Sequence, residues 1–174
     1  MQGELAWKAV SYTPFPVEEG AAGERVRVLV GPVGDRLLRT FVFDKTLSVP
    51  SEILAVTLPR PMGVVVEEDR PRKRAVVADV LEDSRAAQKV KLAKFDRTQR
   101  VNAVLPGDVL RGCTCTTIVY PAKSLLFGVA PPQRQVQMFG ADGSSWDKVR
   151  GALKRGLAED GPVTLIVERA SSAT

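Results

Sequence analysis

The feature that most constrains this chain is the sequence Pro-Met-Gly-Val-Val-Val at residues 61–66. It places a glycine-containing turn directly before an apolar strand. In such a turn the backbone N–H groups of Met62, Gly63 and Val64 can converge on an anion without a charged side chain. Gly63 also lets a ligand approach the backbone closely, because it has no side chain. Since an extended peptide can pair with the strand that follows, the sequence predicts a binding groove that begins at this turn.

The residue content argues against catalysis. The chain has no histidine, which excludes Ser-His-Asp and Cys-His mechanisms, histidine-ligated metals and histidine pH switches. The acidic residues 67–69 alternate sides along a strand, and Ser144 and Ser145 have no base beside them in the sequence. No glycine-rich phosphate loop joins a strand to a helix. We therefore predict a non-catalytic protein with no cofactor, no metal and no small-molecule substrate.

The two cysteines, Cys113 and Cys115, lie two residues apart. On a strand such residues face the same way, and neighbouring same-face cysteines seldom reach disulfide geometry. We expect both to be buried, reduced strand residues. Redox or metal chemistry is the alternative, and it would require an accessible thiolate.

The length and composition are those of one folded domain with an extension. Of the 174 residues, 44% are hydrophobic and 26% are charged, and no apolar run approaches the ~18 residues of a membrane span. The N-terminus lacks the pattern of a secretory signal, and its early glutamates are atypical of a transit peptide. These patterns leave the compartment open.

The net charge of +5 is unevenly distributed, because residues 70–100 contain ten basic and four acidic residues. A solvated loop is the simplest interpretation of its most basic part. Contact with an acidic protein or an anionic membrane is the alternative, although each basic residue contributes only about 1 kcal/mol at a membrane. Nucleic-acid binding is disfavoured, because Phe95 is the only aromatic residue nearby for stacking. The residues of this basic loop are Arg70, Arg72, Lys73 and Arg74.

Periodicity predicts an α+β fold made mostly of strands. A hairpin is predicted from strands at 25–30 and 38–43 around the turn at 31–35. Further strands are predicted at 53–58, 62–67, 75–80, 104–110, 113–120, 136–139 and 163–168. Helices are predicted at 85–90 and about 146–157, and the basic connection 91–104 stays unassigned. The first 23 residues predict an irregular arm with aromatic anchors at Trp7, Tyr12 and Phe15.

Taken in this order, residues 53–169 resemble a PDZ domain. Pro61-Met62-Gly63-Val64 is similar to the family's carboxylate-binding loop, and Pro106-Gly107-Asp108-Val109-Leu110 is similar to its Gly-Asp turn. The stretch Val77–Val80 followed by Ser84 and Ala86-Ala87 is similar to the third strand and first helix. The helix with Val149 and Leu153, followed by Val163–Arg169, is similar to the second helix and closing strand. Each motif alone is weak, and it is their order that carries the resemblance.

The resemblance implies a partly open β-barrel or sandwich with two helices over residues 51–170. An arm and hairpin over residues 1–50 would precede this PDZ-like domain, and a tail at 171–174 would follow it. A groove residue such as Gly63 would be replaceable by Asp with loss of peptide binding and no loss of folding. The implied peptide-binding residues are Arg60, Met62, Gly63, Val64, Val65, Val66, Ser145, Trp146, Val149 and Leu153.

One departure from the family concerns the start of the second helix. The histidine that often stands there is absent, and the position is Ser145 if Val149 lies at mid-groove. It is Trp146 if Leu153 takes that place, and Arg150 then faces the groove. The segment 112–144 is also longer than in compact members, and would be able to fold over the groove.

Within the family the chain looks most like PDZ proteins of plastids in plants and green algae. That likeness implies an assembly or repair factor, or a peripheral subunit, of a photosynthetic complex. Its location would be the chloroplast stroma or the stromal side of the thylakoid, or otherwise the cytoplasm. The partner would be a protein, bound through its C-terminal peptide or as a larger complex. A scaffold with a closed groove that docks through its N-terminal extension, and a basic-loop module for RNA or membranes, are the alternatives.

Overall fold

The computed structural model describes residues 6–10, 13–17, 22–120, 122–128 and 131–171, without the side chains of 6–10, 13–17 and 123–125. These ranges contain ten strands and three α-helices. The strands are β1 (Ala6–Val10), β2 (Thr13–Val17), β3 (Glu24–Pro32), β4 (Leu37–Phe43), β5 (Ser51–Leu58), β6 (Val64–Asp69), β7 (Arg74–Val80), β8 (Val109–Val119), β9 (Gln133–Gly140) and β10 (Val163–Ala170). The helices are α1 (Arg85–Phe95), the short α2 (Ala122–Phe127) and α3 (Trp146–Lys154).

The strands form one curled, mostly antiparallel sheet, which confirms the α+β class. Its order is β2-β1-β4-β3-β9-β8-β10-β5, and the hairpin of β6 and β7 joins it through β8. The predicted hairpin of β3 and β4 is confirmed, with Val26 opposite Phe41. It continues into the rest of the sheet because Gly31 and Pro32 pair with β9.

Two groups of buried side chains hold the sheet. The larger one lies between the sheet and the helices, and includes Val56, Leu110, Phe139, Val149 and Leu165. The smaller one joins the β3–β4 hairpin to the main sheet. Its members are Val26, Val28, Val30, Phe41, Phe43, Ile53, Met138 and Ile166. Burial of these apolar side chains is the main stabilising contribution to such a fold.

A buried carboxylate ties the chain after the hairpin to the last strand. The Glu168 side chain accepts hydrogen bonds from the backbone N–H groups of Thr46 and Leu47, both at 3.0 Å, and from Ser51 Oγ at 2.7 Å. The guanidinium of Arg111 donates to it at 2.7 Å and also binds Asp142. Burial alone would raise the pKa of Glu168, but these hydrogen bonds outweigh burial and lower the pKa to about 2.

Residues 6–10 and 13–17 differ from the predicted irregular arm, because β1 and β2 form an antiparallel pair and β1 pairs in parallel with β4. Pro14 and Pro16 argued against a strand. They lie two residues apart, however, so the positions of both missing N–H groups are on the same edge of β2. Because β2 is the outermost strand of the sheet order, one of its edges needs no partner, and proline is tolerated there. Tyr12 and the side chains of Trp7 and Phe15, the predicted anchors, lie outside the described part of the structure.

Both predicted helices are present with different ends. The first extends to Phe95, five residues beyond the predicted end, and the N–H of Asp96 closes its last turn on Leu92. The Asp96 side chain then caps a 3-10 turn at Arg97–Asn102, in the segment that periodicity left unassigned. The second ends at Lys154 instead of Leu157, before Gly156 with its φ of +126°. The strands predicted at 104–110 and 113–120 meet in one continuous strand, β8, which begins only at Val109, so that residues 104–108 are not strand.

Candidate functional site

The predicted groove strand, β6, has one open edge. The carbonyl of Gly63 accepts a hydrogen bond of 2.7 Å from the N–H of Leu81, just beyond β7. Because backbone groups alternate in direction along a strand, the N–H and C=O of Val64 point away from β7. No strand pairs with that edge in the described ranges. A row of backbone donors and acceptors is therefore available to a further strand.

A cavity of about 480 Å³ lies where β6 begins, and we call it the loop-end cavity. Met62, Gly63 and Val64 line it together with Leu153, near the end of α3, and Leu157, just beyond that helix. Met62, Val64 and Leu153 also pack against the larger core. An apolar wall beside the glycine turn suits the apolar last side chain of a peptide.

A second cavity, of about 520 Å³, lies at the other end of α3 and is called the distal cavity here. Trp146 and Val149 contribute its apolar part, and the β6–β7 turn contributes charged side chains. Residues of α3 and of the β6–β7 hairpin line both cavities, which lie towards opposite ends of α3. The charged lining residues are Glu68, Arg70, Lys73 and Arg74.

Gly63 has a structural role that its sequence context did not reveal. Its φ is +74°, and a Cβ placed on it would lie 2.2 Å from Ser84 Cβ. Ser84 is the N-cap of α1, because its Oγ accepts a hydrogen bond from the N–H of Ala87 at 3.1 Å. The prediction that Gly63→Asp leaves folding unaffected did not include this contact, and a side chain here should destabilise the fold because it meets the residue that caps α1.

Arg60 faces the end of α3 instead of open solvent. Its Nη2 donates to the carbonyl of Arg155 at 2.7 Å, and its guanidinium lies against Gly156. Desolvation lowers the pKa of Arg60, although the charge of Asp160 opposes this. Its Nε is buried and has no partner among the described residues. The side chain thus adds positive charge to the loop-end cavity, but part of its donor capacity is already used.

The sequence analysis placed either Val149 or Leu153 at the middle of the groove, and each choice describes one part of α3. Ser145 is its N-cap, Trp146 is its first residue, and Ser145 Oγ accepts from the N–H of Lys148 at 3.4 Å. Val149 is buried in the core and lines the distal cavity, whereas Leu153 lines the loop-end cavity. Arg150 lines neither cavity and instead pairs with Asp147 at 2.9 Å.

The structure does not bring every predicted peptide-binding residue to the groove. Val64 and Val66 pack against the larger core, whereas Val65 lies between them and its side chain points to the other face of β6. No described residue of α2 lines either cavity, although Ala141, Gly143 and Ser144 of the long segment 112–144 line the distal one. The sequence marked Ser84 only as a residue at the start of the first helix, and its contact with the loop was not predicted. Gly156 was not predicted at the site either, and a glycine just after a helix is the only local signal for it.

The basic loop is largely neutralised by its own neighbours. Arg70 pairs with Glu68 at 3.1 Å. Arg72 and Arg74 both pair with Asp69, at 3.3 and 3.0 Å. Lys73 stands at the tip of the turn with a φ of 50°. Three acidic residues at 67–69 thus offset most of the charge of Arg70, Arg72, Lys73 and Arg74.

Cys113 and Cys115 are both buried and are not bonded to each other, as predicted. Burial raises the pKa of each thiol, so that both stay protonated near neutral pH. They form part of the larger core beneath the groove. Their role in the structure is apolar packing.

In the part of the chain that the structure describes, no helix is both long and apolar enough to cross a membrane. Comparison of the chain with protein-family models, with curated proteins and with solved structures gives no significant match.

Proposed function

We propose that this protein is a non-catalytic interaction module that captures the C-terminal peptide of a protein partner between β6 and α3. The observation that carries the proposal is the open edge of β6, which starts at Gly63 beside an apolar cavity. A peptide that adds a strand to this edge satisfies the outward-facing groups of Val64. Its terminal carboxylate then reaches the N–H groups of Met62 and Gly63, and its last side chain enters the loop-end cavity.

The energetics of this arrangement allow modest affinity. Three or four net hydrogen bonds contribute about 1 kcal/mol each. One buried aliphatic side chain contributes about 2 kcal/mol. Ordering of the peptide and loss of its translational freedom oppose these terms. We therefore expect dissociation constants no tighter than micromolar, about −8 kcal/mol.

The test is a library of peptides with free C-termini, followed by calorimetry on selected sequences. We expect binding that requires a free carboxylate and an apolar last residue, because amidation removes the charge that the N–H groups recognise. Leu153→Glu places a charge in the loop-end cavity and should weaken binding at least about tenfold. Leu126→Glu is the matched control, since Leu126 is exposed on α2 and lines neither cavity.

Two outcomes would count against the groove. One is a library that yields no binder that requires a free C-terminus. The other is a binder whose affinity is the same for the unsubstituted protein and for a folded Leu153→Glu variant. Thermal unfolding of both variants shows that the chain is folded in each case.

The resemblance to plastid PDZ proteins suggests where to look for the natural ligand. Under this proposal the ligand is a protein of a photosynthetic complex on the stromal side of the thylakoid. The module would assist assembly or repair of that complex, or remain in it as a peripheral subunit.

A further inference from the structure

The solvent-facing side of α1 carries two large apolar side chains. Phe95 is 91% exposed and Leu92 is 57% exposed. They lie three residues apart and are therefore neighbours on the helix surface. The opposite side of α1 is anchored in the protein by Ala86 and Ala93. The two apolar side chains thus form the outermost ridge of a firmly packed helix.

Positive charge surrounds this ridge. Residues 85–100 contain six basic residues and one acidic residue, Asp96. The carboxylate of Asp96 accepts hydrogen bonds from the N–H and hydroxyl of Thr98, at 2.9 and 2.7 Å. Among the ion pairs of the described ranges none involves these six cations, and Lys89 donates to the carbonyl of Thr57. The six are Arg85, Lys89, Lys91, Lys94, Arg97 and Arg100.

The acidic residues near α1 lie to one side of the ridge. Glu82 and Asp83 line a cavity of about 350 Å³ beside Lys91 and Lys94. Asp79 lines a neighbouring cavity on the same flank. At 100° per residue, Lys91 and Lys94 occupy that flank, while Arg85 and Lys89 occupy the other. We call Leu92, Phe95 and these four flanking cations the α1 crown.

We propose that the α1 crown docks on an anionic lipid bilayer. The crown is convex, so it cannot enclose a small ligand or a side chain. A bilayer, however, accepts Phe95 and Leu92 at the level of its headgroups while its phosphates contact the cations on both flanks. No residue of the crown lines the loop-end or distal cavity. Membrane contact and peptide capture therefore use different surfaces. An experiment that refutes one of the two proposals does not refute the other.

This docking is weak and reversible, because two apolar side chains and a few cations anchor the protein without a spanning segment. Binding should weaken as salt is added, since Arg85, Lys91 and Lys94 are exposed and screened. The basic loop contributes less, because Glu68 and Asp69 already pair with its arginines.

The test is co-sedimentation of the full chain with two kinds of vesicle. One is phosphatidylcholine alone, and the other is phosphatidylcholine with one third phosphatidylglycerol. We expect retention only on the anionic vesicles, with loss at high salt. The pair Lys91→Glu with Lys94→Glu, and separately Leu92→Ala with Phe95→Ala, should each lower the apparent affinity at least about tenfold. All four side chains are exposed, so we expect the variants to fold.

A second readout reports insertion directly. Phe95→Trp introduces a fluorophore on the crown, and Phe127→Trp introduces one at another exposed position, on α2. We expect bromine-labelled acyl chains to quench the added emission only in the Phe95 variant, after subtraction of the signal from Trp7 and Trp146. Arg70→Glu with Lys73→Glu is the charge control, and should change vesicle retention far less than the Lys91 and Lys94 pair.

Three outcomes would overturn the proposal. The first is equal retention on neutral and anionic vesicles, or none on either. The second is retention that neither pair of crown variants reduces. The third is Phe95-dependent binding of single-stranded poly(U) by a protein that ignores the vesicles, which would assign the crown to nucleic acid.

Discussion

The contact between Gly63 and Ser84 makes a prediction that a double-mutant cycle resolves. Gly63 lies at the start of the groove and Ser84 caps α1, so one contact links the carboxylate loop to the first helix. Gly63→Ala adds one methyl group, whose carbon would lie 2.2 Å from Ser84 Cβ and 2.5 Å from Ser84 Oγ. Ser84→Gly removes both atoms and leaves Ser84 Cα at 3.7 Å, an ordinary contact. The second change therefore relieves the clash made by the first.

The expected free energies of unfolding follow from these distances. In Gly63→Ala the positive φ costs about 1 kcal/mol, and the overlap with Ser84 costs about 2 kcal/mol more. Ser84→Gly alone costs less than about 1 kcal/mol, because glycine is an acceptable N-cap. Addition of the two single changes gives about 4 kcal/mol, whereas the double variant should lose only about 2 kcal/mol. The coupling free energy between the two substitutions is therefore about 2 kcal/mol, and its sign means that Ser84→Gly partly restores the stability lost in Gly63→Ala.

Urea unfolding of the four proteins, followed by far-ultraviolet circular dichroism, measures all four free energies. Additive losses in the double variant would refute the reasoning, because they would mean that residues 63 and 84 do not touch. A Gly63→Ala variant as stable as the unsubstituted protein would refute it as well. Gly107→Ala is a useful comparison, since Gly107 has a φ of +95° but no atom within 4 Å of an added Cβ.

Two further predictions concern the buried groups. Because the pKa of Glu168 falls from 4.5 to about 2 on folding, the stability it contributes is present above about pH 4.5 and lost as the pH falls towards 2. The full loss is about 3 kcal/mol, of which about 2 kcal/mol is reached by about pH 3. Urea unfolding near neutral pH and at about pH 3 should show this loss, and Glu168→Gln should lose less stability between the two pH values. Cys113 and Cys115 should resist a thiol reagent in the native protein and react fully in denaturant, and rapid native labelling would contradict their burial.

The strands that local pattern predicted are those whose residues alternate cleanly. Residues 25–30 alternate buried and exposed positions along β3, and β5 does the same over most of its length. The β1–β2 pair escaped prediction because Pro14 and Pro16 suggest an irregular chain, and pairing with β4 was not visible locally. The extension of α1 to Phe95 escaped it because Leu92 and Phe95 lie on the exposed side, against the usual amphipathic pattern.

The candidate site also contains features that are local in the sequence, which could be predicted, and long-range contacts, which could not. The glycine turn and the apolar start of β6 are local, and the sequence located both. The contact of Gly63 with Ser84 spans 21 positions, and the hydrogen bond from Thr46 to Glu168 spans 122. Neither contact is visible in the local hydrophobic pattern of the sequence, because each depends on how distant segments of the chain are brought together. The charge of the basic loop was also overstated, since its pairing with Glu68 and Asp69 depends on the geometry of the turn.

The position of β5 in the sheet has a consequence for how the protein is made. Within the described ranges β5 pairs only with β10, roughly a hundred residues further along the chain. Glu168, which fixes the segment after the first hairpin, also lies on β10. On a ribosome, β5 and the segment around Thr46 lack their native hydrogen-bond partners until β10 has emerged. Nascent molecules therefore expose an apolar strand while the residues between β5 and β10 are synthesised, and this is the stage at which a chaperone would have most effect.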